Sequence, residues 1–494
     1  MLQDGYRTVA ELQTTEIQRS ERARAPTGYL GVTSDRNHRG FGVKIRSIAD
    51  DSPAQQVGIE EGDVIVGLGE EVIADYDELR DAVRATKPGD KRWLFIERDG
   101  EPAEFEITMG SPQFGMTMWS KPKFNLAVVL VEFDDVRHNP RFSQRTIHDL
   151  LFSRDAFTGE NPSGERVYGS LADYYHENSY GKLSVTGRVF DWVRVEHPRS
   201  HFEQASMQSK TFRTEFRDKA VDLIRERDGA DAFDAFDGVI ILYAGDQSHY
   251  RPRALWPHRA SLRIGKKSFP YYLSSEGGEF LASIGVHVHE FGHMLGLPDQ
   301  YGAGHATGIG KWCVMSVGHM GGGDSRNHRP YHLCAWCKAR LGWVTPAIVD
   351  PGIEQWVRLD PVEADGSQVV QILTRADGGE YYLLENRRRI GFDSDLDADG
   401  LLIWRVGGRG GVDLVESHGR KERNASLLET EEIPYPSAYN DAFTPETTPS
   451  SKSSRSGARE VWIAGIVEKD GVVYLKIGCR EAAGTWKPRT GVFH

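Results

Sequence analysis

The chain has 494 residues, with 60 Lys and Arg against 72 Asp and Glu, for a formal net charge of −12. That length fits roughly two to four domains, and the acidic balance argues against a nucleic-acid binder, which needs a basic face. No apolar run reaches the length of a membrane span, and the 53 glycines point to many turns and a β-rich plan.

In chain order, residues 1–26 are polar and read as a lead-in or linker with one short helix. They contain no apolar stretch of the kind a secretory signal carries. From Gly28 to Gly110 a compact unit follows. Its expected strands are 28–32, 42–48, 63–69 and 92–100, the last turning at Asp99-Gly100 into PAEFEITMG. Its expected helices are 52–58 and 76–86. The S-P-A-x-x-x-G-I-x-x-G-D-V-I segment (52–65) and the entry loop Tyr29-Leu30-Gly31-Val32 resemble a PDZ domain of the bacterial protease-associated type. The resemblance implies that the backbone of that loop holds the terminal carboxylate of a peptide, which adds to the sheet edge. A module that only packs against its neighbour remains the alternative.

Beyond SPQFGMTMWSKPKFN (111–125) the pattern changes to α/β, with apolar strands at 126–133 and 237–245 and helices near 144–152 and 210–227. From 347 onward short strands dominate, at 381–388, 400–408 and 471–478, and suggest a β-sandwich-like end. TPETTPSSKSSRSG (444–457) is poor in apolar residues and reads as an exposed loop. Cys334-Ala-Trp-Cys337 lacks the second pair of a zinc ribbon. With Cys313 and Cys479 it is read as structural pairing or free buried thiols, ahead of metal or redox work, and the pairing is left open.

The chemistry concentrates at 280–302, FLASIGVHVHEFGHMLGLPDQYG. Phe280, Ile284, Val288, Phe291 and Leu295 step at helical spacing and form one apolar face. His289 and His293, at i and i+4, lie one above the other, where both imidazoles can reach one metal. Glu290 is turned about 100° from His289 and addresses a water rather than the metal. Gly296 can end the helix with positive φ, Pro298 forbids its continuation, and Asp299 can return as a third, oxygen ligand. A more distant carboxylate is the alternative. His287 is read as a core histidine.

HEFGHMLGLPDQYG resembles the zinc helix of the immune inhibitor A-like metalloproteases, with their metzincin-type H-E-x-x-H-x-x-G-x-x-D pattern. The likeness extends to SLADYYHENSYGKLSVTG (170–187), ALWPHRASL (254–262), WCVMSVG (312–318), PYHLCAWCKARLGW (330–343) and 381–406. It implies one catalytic Zn2+ held by His289, His293 and Asp299, with Glu290 as general base and Met315 in a methionine turn. His258 and Tyr331 are candidate cleft residues, with a structural hydrogen bond as the alternative for His258. Two departures stand out: Arg405 replaces a histidine in the last block, and a PDZ-like unit stands where relatives carry a propeptide. Asp395, Asp397, Asp399 and Gly400 imitate the opening of a calcium loop but lack its closing glutamate. A solvated acidic turn is the residue reading, and the resemblance leaves a structural Ca2+ open.

The expected fold class is therefore α+β multidomain. A segment 1–26 precedes a PDZ-like β-barrel or sandwich domain (27–110), an α/β metzincin-like zinc protease domain (111–346) and a C-terminal β-rich domain (347–494). The expected function is a secreted-type zinc endopeptidase acting on proteins or peptides, with a PDZ domain that binds peptide termini or gates substrate. Its expected partners include neither nucleic acid nor an integral membrane segment. An inactive binding scaffold is the alternative; a serine protease is disfavoured because G-x-S-x-G and G-D-S-G-G are both missing. The resemblance implies an extracellular or periplasmic location.

Overall fold

The structure is a computed structural model. It describes residues 5–13, 28–35, 38–49, 52–87, 89–110, 118–207, 209–248, 253–302, 308–321, 327–374, 380–407, 411–419, 432–453 and 458–478. Contacts divide the chain into two compact units, one of Ala25–Tyr175 with Leu183–Pro298, the other of Met1–Arg24, His176–Lys182 and Asp299–His494.

Among the described residues the first unit holds two six-stranded sheets and the two-stranded pair Thr158–Glu160 with Arg166–Tyr168. In one, strands Val32–Ser34, Val43–Ile48, Val64–Leu68, Lys91–Arg98 and Glu101–Thr108 lie in that order, with Glu71–Val72 beside Val64–Leu68. Leu30, Ile45, Ile65, Leu79, Leu94 and Ile107 fill its core. Local chemistry sets its helices. Ser52 caps Pro53–Gln56, its Oγ accepting from the Gln55 amide at 3.2 Å. Asp75 caps Tyr76–Ala85 through the Glu78 amide at 3.0 Å. The first strand starts later than expected, at Val32 rather than Gly28. Gly31, at φ 86°, breaks the extended run, and a Cβ there would lie 2.0 Å from Ser52 Cβ.

In the other sheet, Ser184–Val189, Lys123–Glu132, Gly238–Tyr243 and Lys267–Ser275 run parallel, and His258–Ile264 closes the row antiparallel to Lys267–Ser275. Val128, Val129, Leu130, Ile240 and Ile241 are fully buried, which explains a continuous apolar run instead of alternation. The expected helix near 144–152 is Gln144–Phe152. The expected helix at 210–227 is a π-helical turn, Thr211–Asp218, continued by α-helix Lys219–Asp228.

In the second unit, Ala347–Val349, Val369–Leu373, Glu380–Arg387, Gly400–Gly407 and Gly411–Leu414 form one sheet. Arg7–Thr8, Gln355–Leu359, Val472–Ile477 and Ile463–Lys469 form the other. Both sheets feed one core containing Ile372, Leu384, Ile403, Val357, Leu475 and Ile463. Two expectations are corrected here. The start of the chain is not a lead-in: Arg7–Thr8 pairs in parallel with Gln355–Leu359, and Val9 and Leu12 of helix Val9–Gln13 are buried in that core. The stretch from Thr444 is not simply exposed either. Thr444 and Ser451 are buried, and Ser451 Oγ donates to the Val461 carbonyl at 2.6 Å. Residues 454–457 of that stretch, and Cys479, lie outside the described residues.

Candidate active site

The helix carrying the H-E-x-x-H motif spans Ile284–Met294, with Ser283 at its N-cap. Phe280 lies before that start and is 46 % exposed, so it does not share the apolar face formed by Ile284, Val288, Phe291 and Leu295, all fully buried. The helix ends as Gly296 predicts. Its φ is 98°, its amide donates to the His293 carbonyl at 3.0 Å, and the Leu297 amide donates to the Gly292 carbonyl at 3.0 Å. That pair of bonds is the Schellman arrangement, and it turns the chain sharply towards Pro298 and Asp299.

One donor atom from each of His289, His293 and Asp299 lies within 4.8 Å of the other two. The first imidazole is buried, the second half-buried and the carboxylate exposed, so the cluster is open on one side. His293 Nδ1 lies 2.7 Å from the Leu297 carbonyl. A carbonyl only accepts, so Nδ1 carries the proton and Nε2 of the neutral ring keeps a lone pair for a metal. The same Leu297 that closes the helix therefore fixes the tautomer of a ligand. Donor set, tautomer and exposure fit a catalytic zinc.

The wall behind the helix is aromatic. Tyr175, from the 170–187 block, donates its hydroxyl to the Val288 carbonyl at 2.6 Å and packs edge-on against Phe291 at 4.8 Å. His287 is buried and sits 3.1 Å from the Tyr272 hydroxyl; burial pulls its imidazole down to about 4. It belongs to this wall, as its spacing from His289 suggests.

His258 sits in a hydrogen-bonded setting, one of its two expected alternatives. The His258 ring is bonded to the Trp256 carbonyl at 2.7 Å and sits 3.3 Å from the Tyr271 hydroxyl, and burial lowers its pKa. That is a structural role. Arg259, the next residue along strand His258–Ile264, is fully buried: burial pulls its guanidinium down to about 10, against the opposing pull of the Glu290 charge. Strand alternation puts the two side chains on opposite faces.

Met315 is fully buried, and its carbonyl accepts from the Gln300 amide at 2.7 Å, immediately after Asp299. Its turn is tight: the Ser316 and Gly318 amides both donate to the Cys313 carbonyl, and a Cβ on Gly318 would lie 2.5 Å from that oxygen. Tyr331 is buried with its hydroxyl donating to the Asp395 carbonyl at 2.8 Å, a structural bond. The acidic turn is held by ion pairs, Arg329 with Asp395 at 2.7 Å, Lys311 with Asp397 at 3.0 Å, and Arg388 with Asp399 at 3.4 Å. Arg405, in the place of a histidine, donates to the Tyr382 hydroxyl at 3.0 Å and the Ser450 carbonyl at 2.9 Å.

Beside the sheet that begins with Val32–Ser34, the carbonyls of Tyr29, Leu30 and Gly31 accept from the amides of Gly110, Ala54 and Ala49, at 2.9, 3.0 and 2.8 Å. A trans peptide sets each N–H opposite the preceding carbonyl, so the amides of Leu30, Gly31 and Val32 face away from those partners. Next to them runs the edge strand Val32–Ser34. A cleft of about 470 Å³ is lined by Val32, Thr33 and Ser34 on that strand and by Asp75 and Tyr76 at the helix start.

Comparison with known proteins agrees with both resemblances. Residues 28–109 match the PDZ domain family, and residues 122–239 and 265–344 match the family described as immune inhibitor A peptidase M6, catalytic domain. Immune inhibitor A of Bacillus thuringiensis subsp. alesti is 26% identical over 262 residues, 40% of this chain and 37% of that protein. The pre-pro-metalloprotease PrtV of Vibrio cholerae serotype O1 is 29% identical over 245 residues, 41% of this chain and 26% of that protein. The chain thus spans well under half the length of these relatives. Among solved structures, the HtrA3 PDZ domain bound to a phage-derived ligand is 25% identical, covering 17% of this chain and 88% of its own, with a TM-score of 0.15.

Proposed function

We propose that this chain, with its M6-type catalytic segment and PDZ segment, is a zinc-dependent endopeptidase of the metzincin type that hydrolyses protein or peptide substrates. The observation that carries this reading is the cluster of His289, His293 and Asp299 donors within 4.8 Å, with Glu290 one residue beyond the first of them. These three residues would hold the zinc, which when bound supplies Lewis acidity towards water and the scissile carbonyl.

The remaining work falls to the chain itself. Glu290 takes a proton from the attacking water and delivers it to the leaving amine. Arg259 places a positive charge across from that carboxylate and orients it. The Leu297 carbonyl keeps His293 in the tautomer that binds metal. The exposed side of the cluster, towards Asp299, admits the substrate chain.

The PDZ segment binds a peptide carboxylate on the outward amides of Leu30, Gly31 and Val32, while the peptide extends the edge strand. Gln56 and Thr108 of that segment line, with Arg259, Met294 and Gly296, a cavity of about 220 Å³. The PDZ segment and the catalytic helix thereby share one wall, which supports gating. Among the described residues no helix is long and apolar enough to cross a membrane, and the family likeness favours action outside the cytoplasm.

The test is cleavage of an unfolded protein such as casein by the purified full chain. Cleavage should stop on treatment with a zinc chelator and return when zinc is added back. Cleavage that survives removal of all bound metal would refute the reading.

A further inference from the structure

In the sequence, Cys334-x-x-Cys337 lacks a second cysteine pair; the fold supplies a third sulfur from Cys313. All three residues are fully buried, and their sulfurs lie within 4.8 Å of one another. Cys313 Sγ and Cys337 Sγ are 3.8 Å apart. Sulfurs bound tetrahedrally to zinc at about 2.3 Å are separated by about 3.8 Å, whereas a disulfide would bring them to about 2.05 Å. The Cys334 amide also donates to Cys313 Sγ, at 3.4 Å.

We propose that Cys313, Cys334 and Cys337 form a structural thiolate site for a divalent, thiophilic cation, zinc, additional to the histidine site. The frame for it is already built. Glu385 and Arg387, two apart on strand Glu380–Arg387, share one face. Arg387 Nη1 donates to the Trp312 carbonyl at 3.2 Å, just before Cys313, and Glu385 Oε1 accepts the Ala335 amide at 3.3 Å, just after Cys334. One strand therefore fixes both cysteine-bearing segments in register.

Burial leads to the same cation. The three sulfurs are sealed from water, and an uncompensated buried anion is costly, so thiolates there call for a cation. A dication binds as the thiols release their protons. Three thiolates and a dication leave a single negative charge.

The test is metal analysis of the full chain. Wild type should carry about two zinc equivalents; His293→Ala and the Cys334→Ser/Cys337→Ser double variant should each carry about one. Zinc-edge X-ray absorption of His293→Ala should show sulfur neighbours at about 2.3 Å. Cobalt(II) replacing zinc in wild type should give an intense thiolate-to-cobalt charge-transfer band. Where a variant fails to fold, the X-ray absorption and cobalt spectra of wild type decide alone. Zinc with only nitrogen and oxygen neighbours, or a non-reduced intact mass showing a disulfide among these cysteines, would overturn the proposal.

Discussion

The histidine cluster and the cysteine cluster are both groups of metal donors, but they meet solvent differently. His289 is buried, His293 half-buried and Asp299 exposed, whereas Cys313, Cys334 and Cys337 are all sealed. A cation that must receive a substrate keeps an open side; one that holds segments together is closed. The clusters also differ in assembly. The histidine site comes from one stretch, 289–299, whose geometry is set by a helix and its glycine exit. The thiol site comes from the methionine-turn segment and the start of a later helix, joined through a third element, the strand Glu380–Arg387. Exposure and contiguity together separate a reactive site from a structural one.

The largest effect that could break this contrast is His293→Ala, expected to lower peptide cleavage by at least about 10³-fold while leaving the thiol-bound zinc in place. A cleavage assay beside zinc analysis checks it, and simultaneous loss of both metals would merge the two sites. The next effect probes the frame of the sealed site. Arg387 is fully buried between Asp393, Glu363 and Glu385. Asp393→Ala strips its nearest counter-charge and should destabilise folding by about 3–5 kcal/mol in urea titration. A loss below about 1 kcal/mol would show that the frame does not depend on this pair.

A third variant separates the effect of burial from that of metal binding. Glu276 accepts from the Asn139 and Gly245 amides through Oε1, while its buried Oε2 has no hydrogen-bond partner. Burial pushes its carboxyl from 4.5 up to about 7. The folded state then binds a proton that the unfolded state has already released. Glu276 therefore costs no stability below pH 4.5, and its cost grows to roughly 3 kcal/mol as pH rises past 7. Glu276→Gln should raise the melting temperature at pH 8 and change it little at pH 4.5; equal shifts at both would contradict the assignment. The smallest effect is Gly296→Ala, which places a Cβ at φ 98° and should cost about 1–2 kcal/mol. Zinc affinity should fall with it, because this turn delivers Asp299.

The sequence makes the contiguous features readable for a physical reason. His289, Glu290 and His293 are related by helical geometry and Gly296 and Asp299 by the turn that ends the helix, and the Ser52 and Asp75 caps and the Gly31 loop are equally local. What stayed hidden depends on tertiary pairing. Cys313 meets Cys337 only once the methionine turn is packed, and Arg7–Thr8 finds its parallel partner at Gln355–Leu359, over 300 residues away. The burial of Arg259 and the hydrogen bonds that hold His258 likewise depend on packing that spacing alone does not show. Phe280 kept the helical spacing but fell before the cap at Ser283, where periodicity no longer holds.

The central claim, that Glu290 is the base of a zinc peptidase site built on His289, His293 and Asp299, is tested most directly by Glu290→Ala. Zinc content and folding should match wild type, while the rate of peptide cleavage falls by at least about 10³-fold. A Glu290→Ala protein that keeps its zinc and cleaves at the wild-type rate would contradict it.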